Sequence, residues 1–305
     1  MLDRINALLD ADVTDVFIGA SSGVWLQRPA GVSRASFTLN EREVRELAVS
    51  LVDLGGRHLD DATPCVDVKL AGGVRVHAVL APISVHGTEI SIRLPSRTVR
   101  TLDDWVMNSS VSAQVHEQLE AAVIARQTIL VSGATGAGKT SLLSCLMSGV
   151  TREERIVTIE DVAELQIEHP RCVGLEVRQA NTDGRGEISI AADLVRHSLR
   201  MRPERLVVGE CRGAEVVDML RAFTTGHSGG GTTIHANSLA DVGVRLDSLA
   251  ALSGMHSGAL ARLAAAAIDL VVHIDFTSGL RRLRLGRLVD SGGVLNVVEV
   301  DSVER

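Results

Sequence analysis

The sequence has no tyrosine, four phenylalanines and two tryptophans in 305 residues, so aromatic side chains make up only 2% of it. A core must therefore come from Leu, Val, Ile and Ala, and the stacking platforms that hold single-stranded nucleic acids are scarce. Lysine is nearly missing too: Lys69 and Lys139 stand among 31 basic residues, the rest being arginine. The four cysteines, Cys65, Cys145, Cys172 and Cys211, form no CxxC pair and have no bracketing histidines. That pattern excludes a disulfide framework and a cysteine zinc site, and it fits a reducing cytoplasm. No apolar run is long enough to cross a bilayer; the longest stretch without Asp, Glu, Lys or Arg, between Arg221 and Asp241, is Gly, Thr, Ser and His. Asp3, Arg4, Asp10 and Asp12 interrupt what a secretion signal would need as its apolar centre. With 38 acids against 31 bases the net charge is −7, a field that repels nucleic acid and anionic lipid, so stable nucleic-acid binding is not expected.

What is present is 45% apolar residues over a length that suits about two domains. Val13–Ile18 and Val24–Gln27 read as short strands around the turn cluster Ser21-Ser22-Gly23. Asn40 with Glu43 three residues on predicts a capping box, and Val44, Leu47, Ala48 and Leu51 then fall on one face of a helix over 41–54, closed by Gly55-Gly56. VDVKL and VRVHAVL around Ala71-Gly72-Gly73 read as a hairpin, and EISIRL adds a strand. These elements predict a small α+β domain over 1–94, followed by a Pro-punctuated polar linker over 95–104. From 105 to 305 apolar runs (TILVS, RIVTIE, RLVVGE, TTIHA, IDLVVHI) alternate with helical patterns over 139–149, 189–202, 213–223, 238–252 and 256–267. Such alternation predicts an α/β domain with a mainly parallel sheet covered on both faces, and the tail reads as a closing hairpin.

Gly133-Ala134-Thr135-Gly136-Ala137-Gly138-Lys139-Thr140 matches GxxxxGK[ST] directly after a strand and opens a helix with Ser141. Glycines let consecutive backbone N–H groups curl around a polyphosphate, and the helix turns its positive end toward the anion. Lys139 bridges the outer phosphates, and the Thr140 hydroxyl is a Mg²⁺ ligand. In a chain that uses arginine almost everywhere, a lysine here is telling: a slim ammonium enters the loop where a planar five-donor fork would collide with it. Lys69, on a hairpin strand, reads as a solvated surface charge.

RLVVGE ends an apolar strand in Glu210, which suits holding Mg²⁺ or the attacking water, although Gly209 stands where an Asp is usual. RIVTIED ends a second strand in Glu160-Asp161, with Glu164 a turn on. Helix capping is the other reading of an acidic strand end; two such strands in one sheet with a phosphate loop suit Mg²⁺-dependent phosphoryl chemistry. His227 and His235 flank a glycine triplet, and either serve structure or sense the terminal phosphate by a hydrogen bond lost after hydrolysis. Arg178, Arg196, Arg200, Arg202 and Arg212 crowd the same half; they form surface ion pairs, or one of them, with Arg196 and Arg200 sharing a helix face, is delivered to a neighbouring subunit's transition state.

Together, GATGAGKTS, RIVTIEDVAELQ, LRMRPERLVVGECRGAE and TGHSGGGTTIHANS resemble the Walker A, Asp box, Walker B and His box of the type II/type IV secretion ATPase superfamily. They are most similar to its tight-adherence (Flp) pilus and conjugation-associated branch, over residues 13 to about 275. The resemblance implies a RecA-like P-loop ATPase domain behind a PAS-like domain. It further implies a homo-oligomer, six subunits in a ring on the cytoplasmic face of the inner membrane, where ATP turnover drives a membrane platform for pilus assembly or secretion. It implies ATP and Mg²⁺ as cofactors, with Lys139 and Thr140 on the nucleotide and metal and Glu210 as the Walker B acid and metal ligand. Glu160 is the more favoured water-activating base, the two glutamates being interchangeable at this point. His227 and His235 match the His box, and Arg75 and Arg93 match arginines that reach the nucleotide from the first domain.

Several positions depart from the pattern. Ser228 and Gly230-Gly231 replace an acid and a bulkier residue, which suggests a looser loop, and Leu94 replaces a frequent Lys. No CxxC module and no AIRNL element is present, against type II secretion, pilus-extension and retraction motors, and the chain reads as one without the long amino-terminal extension common in the branch. A ring that grips DNA and a nucleotide-gated scaffold with little turnover are the competing functions.

Overall fold

Asn40 and Glu43 form the reciprocal cap that their spacing predicts: the Asn40 side chain accepts from Glu43 N, and Glu43 accepts from Asn40 N. The helix they open, α1 (Glu41–Leu54), buries Val44, Leu47, Ala48, Leu51 and Val52. The structure is a computed structural model that describes residues 12–28, 30–95, 101–107, 111–177, 190–277 and 280–300. The extreme amino terminus, residues 96–100 of the expected linker, Arg178 and the start of the expected 189–202 helix lie outside them. The chain divides into two compact units, Met1–Thr98 and Val99–Arg305.

In the first unit the strands β1 (Asp15–Gly19), β2 (Gly23–Arg28), β3 (Gly31–Arg34), β4 (Cys65–Lys69), β5 (Arg75–Val79) and β6 (Glu89–Arg93) make an antiparallel sheet in the order β3-β2-β1-β6-β5-β4. Alternation sorts the side chains: Val16, Ile18, Val66, Val68, Val76, Ala78, Ile90 and Ile92 turn inward to pack with α1. The edge strand β3 is exposed at every position, so it carries no burial pattern that a sequence reading detects.

The second unit is built on the strands β7 (Ile129–Gly133), β8 (Ile156–Glu160), β9 (Cys172–Glu176), β10 (Arg205–Val208), β11 (Gly231–His235), β12 (Leu270–Thr277), β13 (Leu280–Asp290) and β14 (Leu295–Glu299). Among the described residues they form one mixed sheet, β14-β13-β12-β7-β11-β10-β8-β9, in which the six strands from β12 to β9 run parallel and β13 and β14 antiparallel. Leu130 and Ile129, neighbours on β7, belong to cores on opposite faces. The helices α2 (Leu102–Met107), α3 (Ala113–Ile124) and α4 (Lys139–Ser148) contribute to one core. The other is built from α5 (Ile190–Leu199), α6 (Glu215–Thr224), α7 (Asp241–Ala251) and α8 (Ser257–Ala267). Burial on both faces explains why the five parallel strands β12, β7, β11, β10 and β8 read as continuous apolar runs, whereas the half-exposed edge strand β9 does not. The helix α2 begins inside the stretch that polarity marks as linker, because the single large residue Trp105 anchors it in the core. The four cysteines are free, and no helix among the described residues is long and apolar enough to cross a membrane.

One charge is buried at the amino-terminal edge of this sheet. Arg205 is 1% exposed at the start of β10, donating to Gly229 O at 2.7 Å, to Val123 O at 3.1 Å and to the Glu154 carboxylate. It thereby ties four segments together, and its hydrogen bond holds the Glu154 carboxyl below the usual carboxylate range. That contribution is full above the unfolded carboxylate pKa of about 4.3 and lost as pH falls through the lowered native value. Replacing the buried Arg205 leaves the half-buried Glu154 carboxylate with Arg126, 3.3 Å away, and the weaker influence of His169. Arg205→Ala is expected to cost about 3 kcal/mol at neutral pH, with the gap to the parent narrowing in acid. Denaturant unfolding at pH 7 and below pH 4 checks it; a gap that stays constant contradicts the pairing.

Candidate active site

The carboxyl ends of the parallel strands gather most of the residues marked by the sequence. The strand β7 hands the chain at Gly133 to a loop in which Gly136 (φ 76°) and Gly138 (φ 101°) adopt left-handed conformations that favour glycine. Gly138 caps α4, whose first bond runs from Leu142 N to Gly138 O. The leading N–H groups of any such helix have no partner within it, and its dipole adds positive potential. Ala134, Thr135 and Gly136 are exposed, Ala137 is buried, and Thr140 and Ser141 are half-buried at the helix start. This is the form of an anion cradle.

Lys139 is 6% exposed and donates to Ala134 O at 3.0 Å and to His235 Nδ1 at 3.1 Å. Burial lowers the pKa of its ammonium, against the pull of Glu210. Because Nδ1 accepts, the neutral tautomer of His235 carries its proton on Nε2, and that nitrogen stands 2.9 Å from Glu210 Oε1. Burial and the Lys139 charge keep the His235 pKa below its ordinary value. Glu210 Oε2 accepts from Arg212 at 2.7 Å; the hydrogen bond raises the Arg212 pKa, and Arg212 also comes within 4.0 Å of Asp161. At 2.9 Å the His235 N–H is close to the buried Glu210 Oε1 but not aligned on it, so the two stand at ion-pair distance with no formed hydrogen bond. Lysine, histidine, glutamate and arginine thus form one chain that runs from the phosphate loop across β11 to the end of β10.

Glu160, 7% exposed at the end of β8, accepts from the backbone N–H groups of Glu164 and Leu165 at 2.8 and 2.9 Å. The glutamate therefore does what a cap does, holding the segment after β8, while lying beside Glu210's strand. Gly209 explains itself here: a Cβ at that position would fall 2.6 Å from Glu160 Cγ. The usual acid before Glu210 is excluded by close approach.

Other candidate residues lie apart from this chain. His227 does not join His235. Its Nδ1 lies 3.2 Å from Pro203 O, before β11 begins and next to the start of β10, and the length of β11, roughly 13 Å, separates it from the loop end. The Gly230-Gly231 segment is not loose: both residues are buried, and a Cβ on them would meet Leu206 O and Ile129 O at 1.7 and 2.5 Å. Arg196 pairs with Asp193 and Asp218, each at 3.3 Å, and Arg200 is exposed just past the end of α5. Arg75 and Arg93 are directly opposite one another on β5 and β6, with Lys69 and Asp15 continuing the row on β4 and β1. Like charges side by side oppose sheet formation, and Asp15 beside Arg93 places an opposite charge in the same row.

The structure also shows participants that the motifs did not mark. Arg281 Nε donates to Ala137 O at 2.9 Å, and Trp105 lies against Gly138. Trp105 is marked in the sequence only by its rarity as an aromatic, and Arg281, one arginine among many, is not marked at all. Ser132, His273 and Asp275 line up at 2.9 and 3.3 Å, but Ser132 is fully buried and is no nucleophile.

The residues fit a magnesium-bound nucleotide. A buried carboxylate oxygen without an aligned donor and a half-buried hydroxyl at the loop suit an ion that keeps several waters and takes the remaining ligands from phosphate; no cluster of three or more His, Cys, Asp or Glu set for a metal occurs among the described residues.

A family model described as "Type II/IV secretion system protein" matches residues 2–275. The chain is 42% identical over 288 residues, 92% of its length and 82% of the other's, to a protein of Mycobacterium tuberculosis (strain H37Rv) provisionally named a conjugal transfer protein. It is 30% identical over 295 residues, 88% and 87% of the two lengths, to the type IV secretion system protein PtlH of Bordetella pertussis. Among solved structures, the pilus retraction motor PilT with bound ADP superposes with a TM-score of 0.68 at 20% identity, covering 95% of this chain and 83% of that one. The Legionella pneumophila ATPase DotB gives 0.63 at 21%, covering 95% and 80%. Both superpositions speak to the fold.

Gly209→Asp, which writes the commoner acid pair into the sequence, is expected to displace Glu160 from its two backbone bonds and to lower stability by about 1–3 kcal/mol. Thermal unfolding beside a phosphate-release assay checks this; a variant as stable as the parent and more active contradicts the packing explanation.

Proposed function

The chain belongs to the type II/IV secretion system protein family, and on that footing we propose that it is an ATP-hydrolysing motor that powers secretion or conjugal transfer. The observation that carries the reading is the buried Lys139, held between Ala134 O and His235 at the mouth of a left-handed glycine loop. An ammonium so placed gives up two neutral acceptors for phosphate oxygens when nucleotide enters, and the same exchange releases His235. Because His235 also faces Glu210, loop occupancy is communicated to the end of β10.

Residues 133–141 cradle the phosphates in this reading, and Thr140 and Glu210 hold Mg²⁺, which supplies charge neutralisation on the terminal phosphates. Glu210, with its buried oxygen lacking an aligned donor, orients the attacking water. Glu160, committed to Glu164 and Leu165, braces the segment that carries Asp161, a division of labour that differs from the one suggested by the resemblance. Of the two glycine-flanking histidines, His235 alone takes the sensing role, and His227 anchors the turn before β11.

Force requires assembly. The motor is proposed to be a homo-oligomeric ring, six subunits as in the tight-adherence and conjugation-associated branch, bound at the inner face of the cytoplasmic membrane to platform proteins. Arg200, exposed at the end of α5, is better placed than Arg196 for a neighbouring subunit, since Arg196 is held by Asp193 and Asp218. The net charge of −7 and the 2% aromatic content favour driving transfer over gripping DNA.

Glu210→Gln is expected to lower phosphate release about 10² to 10⁴-fold while leaving ATP binding nearly intact, and Glu160→Gln to lower it less. Steady-state turnover of the three proteins checks this. Equal turnover of the parent and Glu210→Gln overturns the assignment, and a larger loss at Glu160 exchanges the two roles.

A further inference from the structure

A bound nucleoside triphosphate has two chemically different ends, and the strand order of the large sheet separates them. On one side of β7 lie β11, β10 and β8, which lead to His235, Glu210 and Glu160; on the other lie β12 and β13. The acids and the histidine suit the terminal phosphate and its metal. With the loop between, the ribose and base are left to the β12–β13 side.

That side carries a stack. Phe276 and Arg281 are cross-strand partners on the hairpin, and the Arg281 guanidinium lies 4.9 Å from the Phe276 ring centre and 5.5 Å from that of Trp105. The same guanidinium holds the phosphate loop through Ala137 O, and Trp105 closes against Gly138, where a Cβ would come within 2.9 Å of the indole. Trp105 is 3% exposed and Phe276 is 45% exposed. The stack therefore begins in the core, passes along the last residues of the loop and ends in an open aromatic surface. Two of the chain's few aromatic side chains are spent on one arginine beside the loop, and the outer of them fills no core.

We propose that Phe276, held in place by Arg281 and Trp105, is the base platform of the nucleotide site: the aromatic base stacks on Phe276 while the phosphates occupy residues 133–141. The proposal rests on the nucleotide-binding reading and adds to it the place of the base. Stacking engages the π-face that every base presents, so it contributes affinity without reading the base edge. Arg281 is a positioning residue in this arrangement, since it touches the loop and the platform.

Equilibrium binding of ATP and of inorganic tripolyphosphate, each with Mg²⁺, to the full chain separates the two parts of the claim. The parent protein is expected to bind ATP more tightly than tripolyphosphate. Phe276→Ala, an exposed substitution, is expected to weaken ATP about tenfold and leave tripolyphosphate unchanged, and Phe276→Trp to restore ATP binding. Equal weakening of both ligands by Phe276→Ala, which marks a distorted loop, overturns the platform, as does no weakening of either. If the parent binds neither ligand, the nucleotide-binding reading itself falls and takes the platform with it.

Discussion

The ammonium of Lys139, a residue 6% exposed, held by a carbonyl and an imidazole, is the interaction on which the rest of the molecule depends. Desolvation disfavours its charge, and the nearest carboxylate, Glu210, acts on it at a distance through His235. An arginine could not enter this space, and the chain, which uses arginine almost everywhere else, keeps one of its two lysines for it. A site that holds a cation short of an anion is a site prepared to receive one. The left-handed glycines and the start of α4 present backbone donors to the same place.

Much of the second unit is arranged around that cation. The parallel sheet places β11, β10 and β8 beside the loop strand on one side, so that imidazole and carboxylates reach it in sequence, and the close approach at Gly209 leaves room for Glu160 to fasten the segment after β8. At the opposite edge Arg205 joins β10, the turn before β11, the end of α3 and Glu154. Buried charge at one edge thus fixes the strands whose other ends carry the chemistry. The hairpin of β12 and β13 holds the loop from the remaining side through Arg281.

The local and the periodic were legible in the sequence. The Asn40–Glu43 cap, the stripe on α1, the five apolar strands and the phosphate loop each follow from spacing within a dozen residues, and each is present. What stayed hidden depends on tertiary packing. The strand β3 is exposed throughout and has no alternation to betray it; α2 looked like linker because only Trp105 anchors it. His227 and His235 are eight residues apart and look like a pair, yet an extended strand sends them to opposite edges of the sheet. The Gly230-Gly231 pair looked loose, whereas its residues are pressed against Leu206 and Ile129. Arg281 stands 144 residues from the alanine it holds, a distance no motif spans.

The most direct test of the account is calorimetric titration of the chain and of Lys139→Ala with ATP and Mg²⁺, with circular dichroism confirming that both are folded. The account predicts saturable binding, one nucleotide per chain, by the parent and a loss of about two orders of magnitude in affinity when the ammonium is removed. A folded Lys139→Ala protein that binds ATP as tightly as the parent, or a parent that does not bind it at all, contradicts the claim that this buried charge awaits a triphosphate.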